Sequence, residues 1–328
     1  MKRLFVALIL LTALLFLAAL ALGDRPVPPR QVLAALGLAG AADPASQMIV
    51  AGLRLPRAVM ALLVGAALGV AGTVTQAVMR NPLAEPGLLG INAGAALIAT
   101  VMIVWTDALP QSAMPVLTFA GALMMAVAIQ VLAWREGSSS LRIVLIGVGL
   151  ASFAGAGASF ISTFGDPPAV QRAMVWLAGS LQDSRWERVA MLARWSLPPL
   201  AVAWLLSREL DLIVFGDTVA RGLGQRVELV RAGAILICAA LSGAAVAASG
   251  LIAFVGLAAP HIARRIIGHG HGHATLIPAS ALIGAAMVLA ADIAARNLMP
   301  PMQLPVGLFT ALLGAPFFGW LLWRRRHD

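Results

Sequence analysis

Residues 54–96, RLPRAVMALLVGAALGVAGTVTQAVMRNPLAEPGLLGINAGAA, hold two apolar runs joined by a polar turn. The first, Ala58–Val78, carries no charge over 21 residues. At 1.5 Å per residue that is enough to cross a ~30 Å hydrocarbon core. The turn, Arg80-Asn81-Pro82-Leu83-Ala84-Glu85-Pro86-Gly87, places two prolines, an Asn and a Glu between the runs, and the second run begins at Leu88. Such a connector is stiff and specific. Gly65 and Gly69, then Gly72, and Gly90 with Gly94 sit on the runs at small-residue spacing. Small residues four apart let membrane helices approach closely, which predicts a packed bundle. Arg54 and Arg57, three apart at the entrance, share one face of a helix.

Composition extends this reading to the whole chain. Of 328 residues 60% are apolar and 11% charged, against roughly 25% charged in a soluble domain. The chain is expected to be all-α: one polytopic membrane helix bundle over 1–328 with about ten transmembrane helices. The net charge of +9 is almost all arginine, Lys2 being the only lysine. Such an excess belongs in cytoplasmic loops and is no argument for nucleic acid. Cys238 alone permits no internal disulfide.

The expected spans are Leu4–Leu22, Ala58–Val78, Leu88 onward, Ala113–Ala133, Leu141–Phe164, Val189–Leu206, Ala232–Ala248, Leu251–Ile267, Leu276–Asn297 and Pro305–Trp323. The first competes with a cleaved signal peptide, but its apolar run is longer than a usual signal core. Asp24–Gln47 reads as a loop with a short helix over Arg30–Leu38, and Gly165–Glu187 as one or two interfacial helices. In the sixth span Arg194 and the tandem Pro198-Pro199 predict snorkelling and a kink. The fifth span, with Gly147, Gly149, Ser152, Gly155, Gly157 and Ser159, suits a pathway better than lipid. Ten spans put both termini on one side. Lys2, Arg3, Arg80, Arg135, Arg142, Arg208, Arg221, Arg226, Arg231, Arg264, Arg265 and Arg324–Arg326 fall there, so both termini are expected to be cytoplasmic.

Ionisable groups inside the spans are few. Asp292 and Arg296, four apart, can pair on one face as a structural ion pair or as part of a site. An ion-coupled secondary transporter wants buried carboxylates near the midplane, and the sequence shows none there. Gly157-Ala158-Ser159-Phe160 is similar to a rhomboid nucleophile site, but the histidines all fall at or beyond cytoplasmic helix ends. A Walker A motif requires a lysine after a glycine-rich loop, and with Lys2 alone this chain cannot contain one, so any ATP and magnesium belong to a partner ATPase. His269, His271 and His273 could hold a transition metal only weakly, and no metal site is assigned.

Arg54-Leu-Pro-Arg57, Gly65-Ala-Ala-Leu68, Gln76 and Arg80–Gly87 together resemble the permeases of iron-siderophore, haem and cobalamin ABC importers, the FecCD-type family. Phe215-Gly216-Asp217, Ala220 and Leu223-Gly224 resemble its L-G-D-x-x-A-x-x-L-G segment. Gly250–Arg264 follows its G-x-I-x-F-V-G-L-x-x-P-H-x-x-R pattern, and Asp292–Arg296, Leu304–Gly307 and Gly314–Pro316 complete it. Two departures are Gly268–His273, where the family often has G-x-D-H-R, and Gln303, where it often has Glu.

The resemblance implies a homodimer around one pathway, two ATP-binding subunits and a periplasmic substrate-binding protein, in a bacterial inner membrane. It implies an imported iron chelate, siderophore or haem, with cobalamin as the alternative. It makes Arg54, Arg57 and Arg296 docking residues for the binding protein, against a rival reading of pairing with lipid headgroups or loops. Asn81, Leu83, Ser139 and Ser140 correspond to cytoplasmic gates, and Gln76, Ser152 and Ser159 to the pathway. Arg208–Arg226, with Leu212, Phe215, Asp217, Ala220, Leu223 and Gly224, corresponds to the segment that couples to the ATPase. There Asp217 is expected to cap a short helix from Thr218.

Overall fold

The computed structural model describes residues 1–106, 110–134, 137, 139–268, 270–299 and 302–324. Their regular structure is helical throughout. α1 (Lys2–Ala21) leads to α2 (Pro29–Ala35), where Arg30–Leu38 was expected to be helical. α3 (Pro44–Gln47) starts on Asp43, whose carboxylate accepts the Ser46 amide at 2.8 Å. That bond holds the Asp43 carboxyl below its usual range. A π-helical turn, Met48–Arg54, joins α3 to α4 (Leu55–Met79), so the second expected span begins well before Ala58.

α4 is the axis of the bundle. Twenty of its 25 residues are buried, and it packs on α14 (His273–Asn297), α12 (Val227–Ser249), α13 (Val255–Ile267) and α9 (Trp186–Leu205). The glycines make this possible. A Cβ on Gly65 would overlap the Gly284 carbonyl, one on Gly69 the Ser280 carbonyl, and one on Gly72 the backbone of Gly256. Gly72→Ala should therefore destabilise the bundle by about 1–3 kcal/mol through overpacking. Gly233→Ala in α12, where a Cβ meets open space, should be neutral or gain about 0.5 kcal/mol. Thermal unfolding in detergent compares the two; equal midpoints would remove the close-packing account.

The remaining elements are α5 (Ile91–Trp105), α6 (Met114–Ala133), α7 (Ser140–Thr163), α8 (Pro167–Leu177), α10 (Ser207–Val214), α11 (Asp217–Gly222) and α15 (Val306–Arg324). α7 opposes α4 in character: Ile143, Gly147, Ala154 and Ile161 are its buried residues, while Leu141, Leu145, Phe153 and Phe160 are exposed. Ser139 starts it by accepting the Arg142 amide at 3.3 Å.

Six described helices, α1, the α3–α4 run, α6, α7, α12 and α14, are long and apolar enough to cross a membrane. α9 and α10 make a seventh if counted as one span bent by 58°. The bend lies at Leu206, not at Pro198-Pro199, through which α9 runs unbroken.

Two expected spans are corrected. The third begins at Ile91, after the 80–90 segment has turned back into the bundle, so α5 has 15 residues. The eighth is helical only from Val255: residues 250–254 are irregular, with Gly250 at φ +70° and Phe254 at φ +67°. Both corrections have one cause, since glycine and proline (Pro86, Gly87, Gly90; Gly250) break apolar runs that hydropathy alone would carry through.

Candidate functional site

Three clusters gather the residues singled out by the sequence. The first lies where α1 ends and α4 begins. Arg54, Arg57 and Arg296 converge there and line a cavity of about 300 Å³ with Asp24, Arg25, Gln182 and Gln303. All three arginines are buried and already engaged. Arg57 donates through Nε to Asp292 at 2.9 Å and through Nη1 to Gln303 Oε1 at 2.8 Å. Its Nη2 also lies 2.8 Å from Asp292 Oδ1, while Arg296 Nε lies 3.1 Å from Asp292 Oδ2.

Arg54 donates to the carbonyls of Leu20 and Ala21, both at 2.9 Å, and Arg296 to that of Ala19 at 3.2 Å. These are last-turn carbonyls of α1 without intrahelical partners, and cations there satisfy both the acceptors and the dipole. The i,i+4 pairing of Asp292 with Arg296 was legible in sequence. Its sharing with Arg57, 235 residues away, was not.

The second cluster closes the far end of α4. Arg80 ends the helix at φ +49°, and Asn81 Oδ1 accepts the Leu83 amide at 2.9 Å, which folds the turn on itself. Ser140 donates to the Val78 carbonyl at 3.0 Å, so the start of α7 is tied to the last turn of α4. The two segments expected to be gates therefore meet; Ser138 beside them lies outside the described residues.

Gln76 is buried here, with Arg264 donating to its Oε1 and its own amide reaching the Leu257 carbonyl at 3.4 Å. Gln76, Arg80, Asn81, Arg264, His271 and His273 line a cavity of about 440 Å³. His273 Nδ1 sits 2.6 Å from Asp211 of α10; His269 lies outside the described residues. Ser152 and Ser159 are on the exposed side of α7, with Gly149 and Gly155, where a Cβ would meet nothing within 4 Å.

The third cluster is α10–α11. Ala220 is fully buried, whereas Phe215 is 70% and Leu223 64% exposed, and Val214 and Val219 are exposed beside them. Leu212 is half-buried, and Gly224 turns the chain at φ +83°. The expected cap role of Asp217 is corrected. Gly216 holds the cap position at φ +101°, and the Asp217 carboxylate instead receives Arg231 Nη2 on both oxygens, at 2.7 and 2.8 Å. Arg231, in the first turns of α12, is wholly buried and lies 3.6 Å from Glu228 as well. Its place three residues after Glu228, at the edge of an apolar run, was the available signal, and it was read only as a basic loop charge.

Residues 10–324 match the family model described as the FecCD transport family. The chain belongs to the FecCD transport family. Among curated relatives of this FecCD permease, the "Probable siderophore transport system permease protein YfhA" of Bacillus subtilis is 37% identical, covering 99% of this chain and 95% of the relative. The achromobactin transport system permease protein CbrC of Dickeya dadantii is 40% identical over 99% and 92%. The hemin transport system permease protein HmuU of Yersinia pestis is 39% identical over 84% and 83%. A solved structure described as "An inward-facing conformation of a putative metal-chelate type ABC transporter" superposes with a TM-score of 0.89 at 28% identity. It covers 99% of this chain and 100% of that one. FecCD proteins are ABC transporter permeases, so the chain is a multi-pass membrane permease of the iron, siderophore and haem transport group.

Proposed function

We propose that this permease forms the membrane pathway of a binding-protein-dependent importer carrying a ferric chelate, siderophore or haem, into the cytoplasm. The observation that carries the reading is the end-to-end correspondence with permeases named for siderophore, achromobactin and hemin transport. The six long helices, the bent α9–α10 pair and the shorter α5, α13 and α15 supply the ten spans we infer. An even number, with the arginine distribution, supports cytoplasmic termini, and the bacterial relatives support an inner membrane.

Two copies would enclose the pathway, with the open, glycine- and serine-bearing face of α7 toward it. The arginine-lined cavity is then periplasmic, and an acidic side chain of the binding protein is the group that fits it. Gln303, where the family often has Glu, leaves that cavity more positive. Asn81, Leu83, Ser139 and Ser140 act as the cytoplasmic gate. The exposed apolar ridge of α10–α11 seats on an ATPase that holds ATP and magnesium, an apolar patch of this kind marking an interaction surface.

The test is reconstitution of the permease with its ATPase and binding protein in proteoliposomes. Ferric siderophore or haem should stimulate ATP hydrolysis and enter the lumen, and the permease alone should hydrolyse no ATP. Turnover by the permease alone, or hydrolysis indifferent to every chelate, would overturn the proposal.

A further inference from the structure

Two helices begin midway through the bundle. Leu68 is the fourteenth residue of the 25 in α4, and the start of α13 lies at its height. A Cβ on Gly256 would touch the Leu68 carbonyl, and Gly72 packs on the Gly256 backbone. From Arg80 the chain climbs back along α4 until Pro86 reaches Gly256, and α5 starts from there. The N-termini of α5 and α13 thus approach each other in the interior.

A carboxylate stands at this junction. Glu85 lines one cavity with Phe254, the residue that opens α13, and that backbone amide is the α13 group its carboxylate faces. Glu85, Gly87, Asn92, Leu68 and Phe254 line one cavity of about 330 Å³. Asn92 Oδ1, from the first turn of α5, is buried there without a hydrogen-bond partner among the described residues. Phe254 sits at φ +67°, a strained conformation for a side chain of its size, so its position must be held by its surroundings. A carboxylate accepting from the free amides of a helix N-terminus is a strong, charge-assisted contact, and more so away from water. At its other end α13 meets the same segment again: Arg264 and Gly268 share a cavity with Arg80 and Asn81.

We propose that Glu85 is a positioning residue that latches the 80–90 segment to the N-terminus of α13. The segment bearing Asn81 and Leu83 then cannot move without moving α13, so opening of the gate is tied to a helix packed on the axis of the bundle. This rests on the transport and gate readings above. It adds a residue that neither the apolar pattern nor the gate assignment points to.

The experiment measures chelate uptake and ATP hydrolysis together in the reconstituted complex. Glu85→Ala should still copurify with the ATPase and hydrolyse ATP. Chelate moved per ATP should fall about tenfold, the factor set by losing one charge-assisted hydrogen bond. Glu85→Gln keeps an acceptor oxygen at the same reach and should restore the ratio to within about threefold. Glu85→Asp, a methylene shorter, should behave like alanine, and with Gln it decides the matter if the alanine variant does not insert.

An unchanged ratio in Glu85→Ala or Glu85→Asp, or a Gln variant as impaired as either, overturns the latch. Leu83→Asp is run beside them as the gate control. If it blocks uptake while the Glu85 variants are normal, only the latch fails. If it leaves uptake unchanged, or the native complex moves no chelate, the gate or transport reading fails and takes the latch with it.

Discussion

Replacing Asp292 with alanine is expected to cost about 3–5 kcal/mol, because it strands buried arginine charge. Asp292 is 1% exposed and is the carboxylate shared by Arg57 and Arg296. Without it Arg57 keeps Gln303 and Arg296 keeps the Ala19 carbonyl, both neutral acceptors. The loss should appear as a lower unfolding midpoint in detergent and a smaller monodisperse fraction. Asp292→Ala with Arg57→Leu should recover only part of it, since one stranded arginine is removed while the buried Arg296 remains. A single variant within 1 kcal/mol of the native protein would show that the pair carries little stability.

The same geometry changes how binding-protein docking should be probed. Reversing Arg57 or Arg296 to glutamate would break this cluster, and reversing Arg296 would also free the α1 end, so lost docking would say little about contact. Gln303→Glu, which adds a negative charge to the cavity without removing a buried partner, is the cleaner perturbation.

The sequence carries the helical class, the apolar spans and the family motifs, because each is written in consecutive residues. The glycines of α4 were legible as packing residues for the same reason: Gly65 and Gly69 are four apart. What was not legible is what depends on chain reversal. The Arg80–Gly87 turn reads as a polar connector, and nothing local says that it re-enters the bundle and carries Glu85 to the height of Leu68. The apolar stretch Leu251–Ile267 likewise hides its break, because residues 251–254 are themselves apolar. Asp217 was misread in a related way, since its partner Arg231 lies beyond α11, on the next helix.

Asp217→Ala should therefore do more than remove a helix cap, whose loss costs about 1 kcal/mol. The carboxylate accepts two short bonds from Arg231, which has no solvent exposure. Deleting it removes both of those bonds from a buried guanidinium, and a local cost of about 3 kcal/mol follows. α11 is only six residues long, too short to persist without its anchor. The variant should still insert, because the paired arginine cluster at the other end is untouched, but α11 should loosen and ATPase assembly should fall. Asp217→Asn, which keeps the shape and one acceptor, should lie between. Leu223→Asp provides the contrast. Leu223 is 64% exposed, so its replacement should leave the stability of the isolated permease within about 0.5 kcal/mol. In the complex it would bury an unpaired charge against the ATPase and block assembly. Copurification with the ATPase and unfolding midpoint, measured for both variants, separate the two effects. If Leu223→Asp assembles and transports normally, α10–α11 is not the coupling surface, and the chain between α13 and α14 becomes the next place to look.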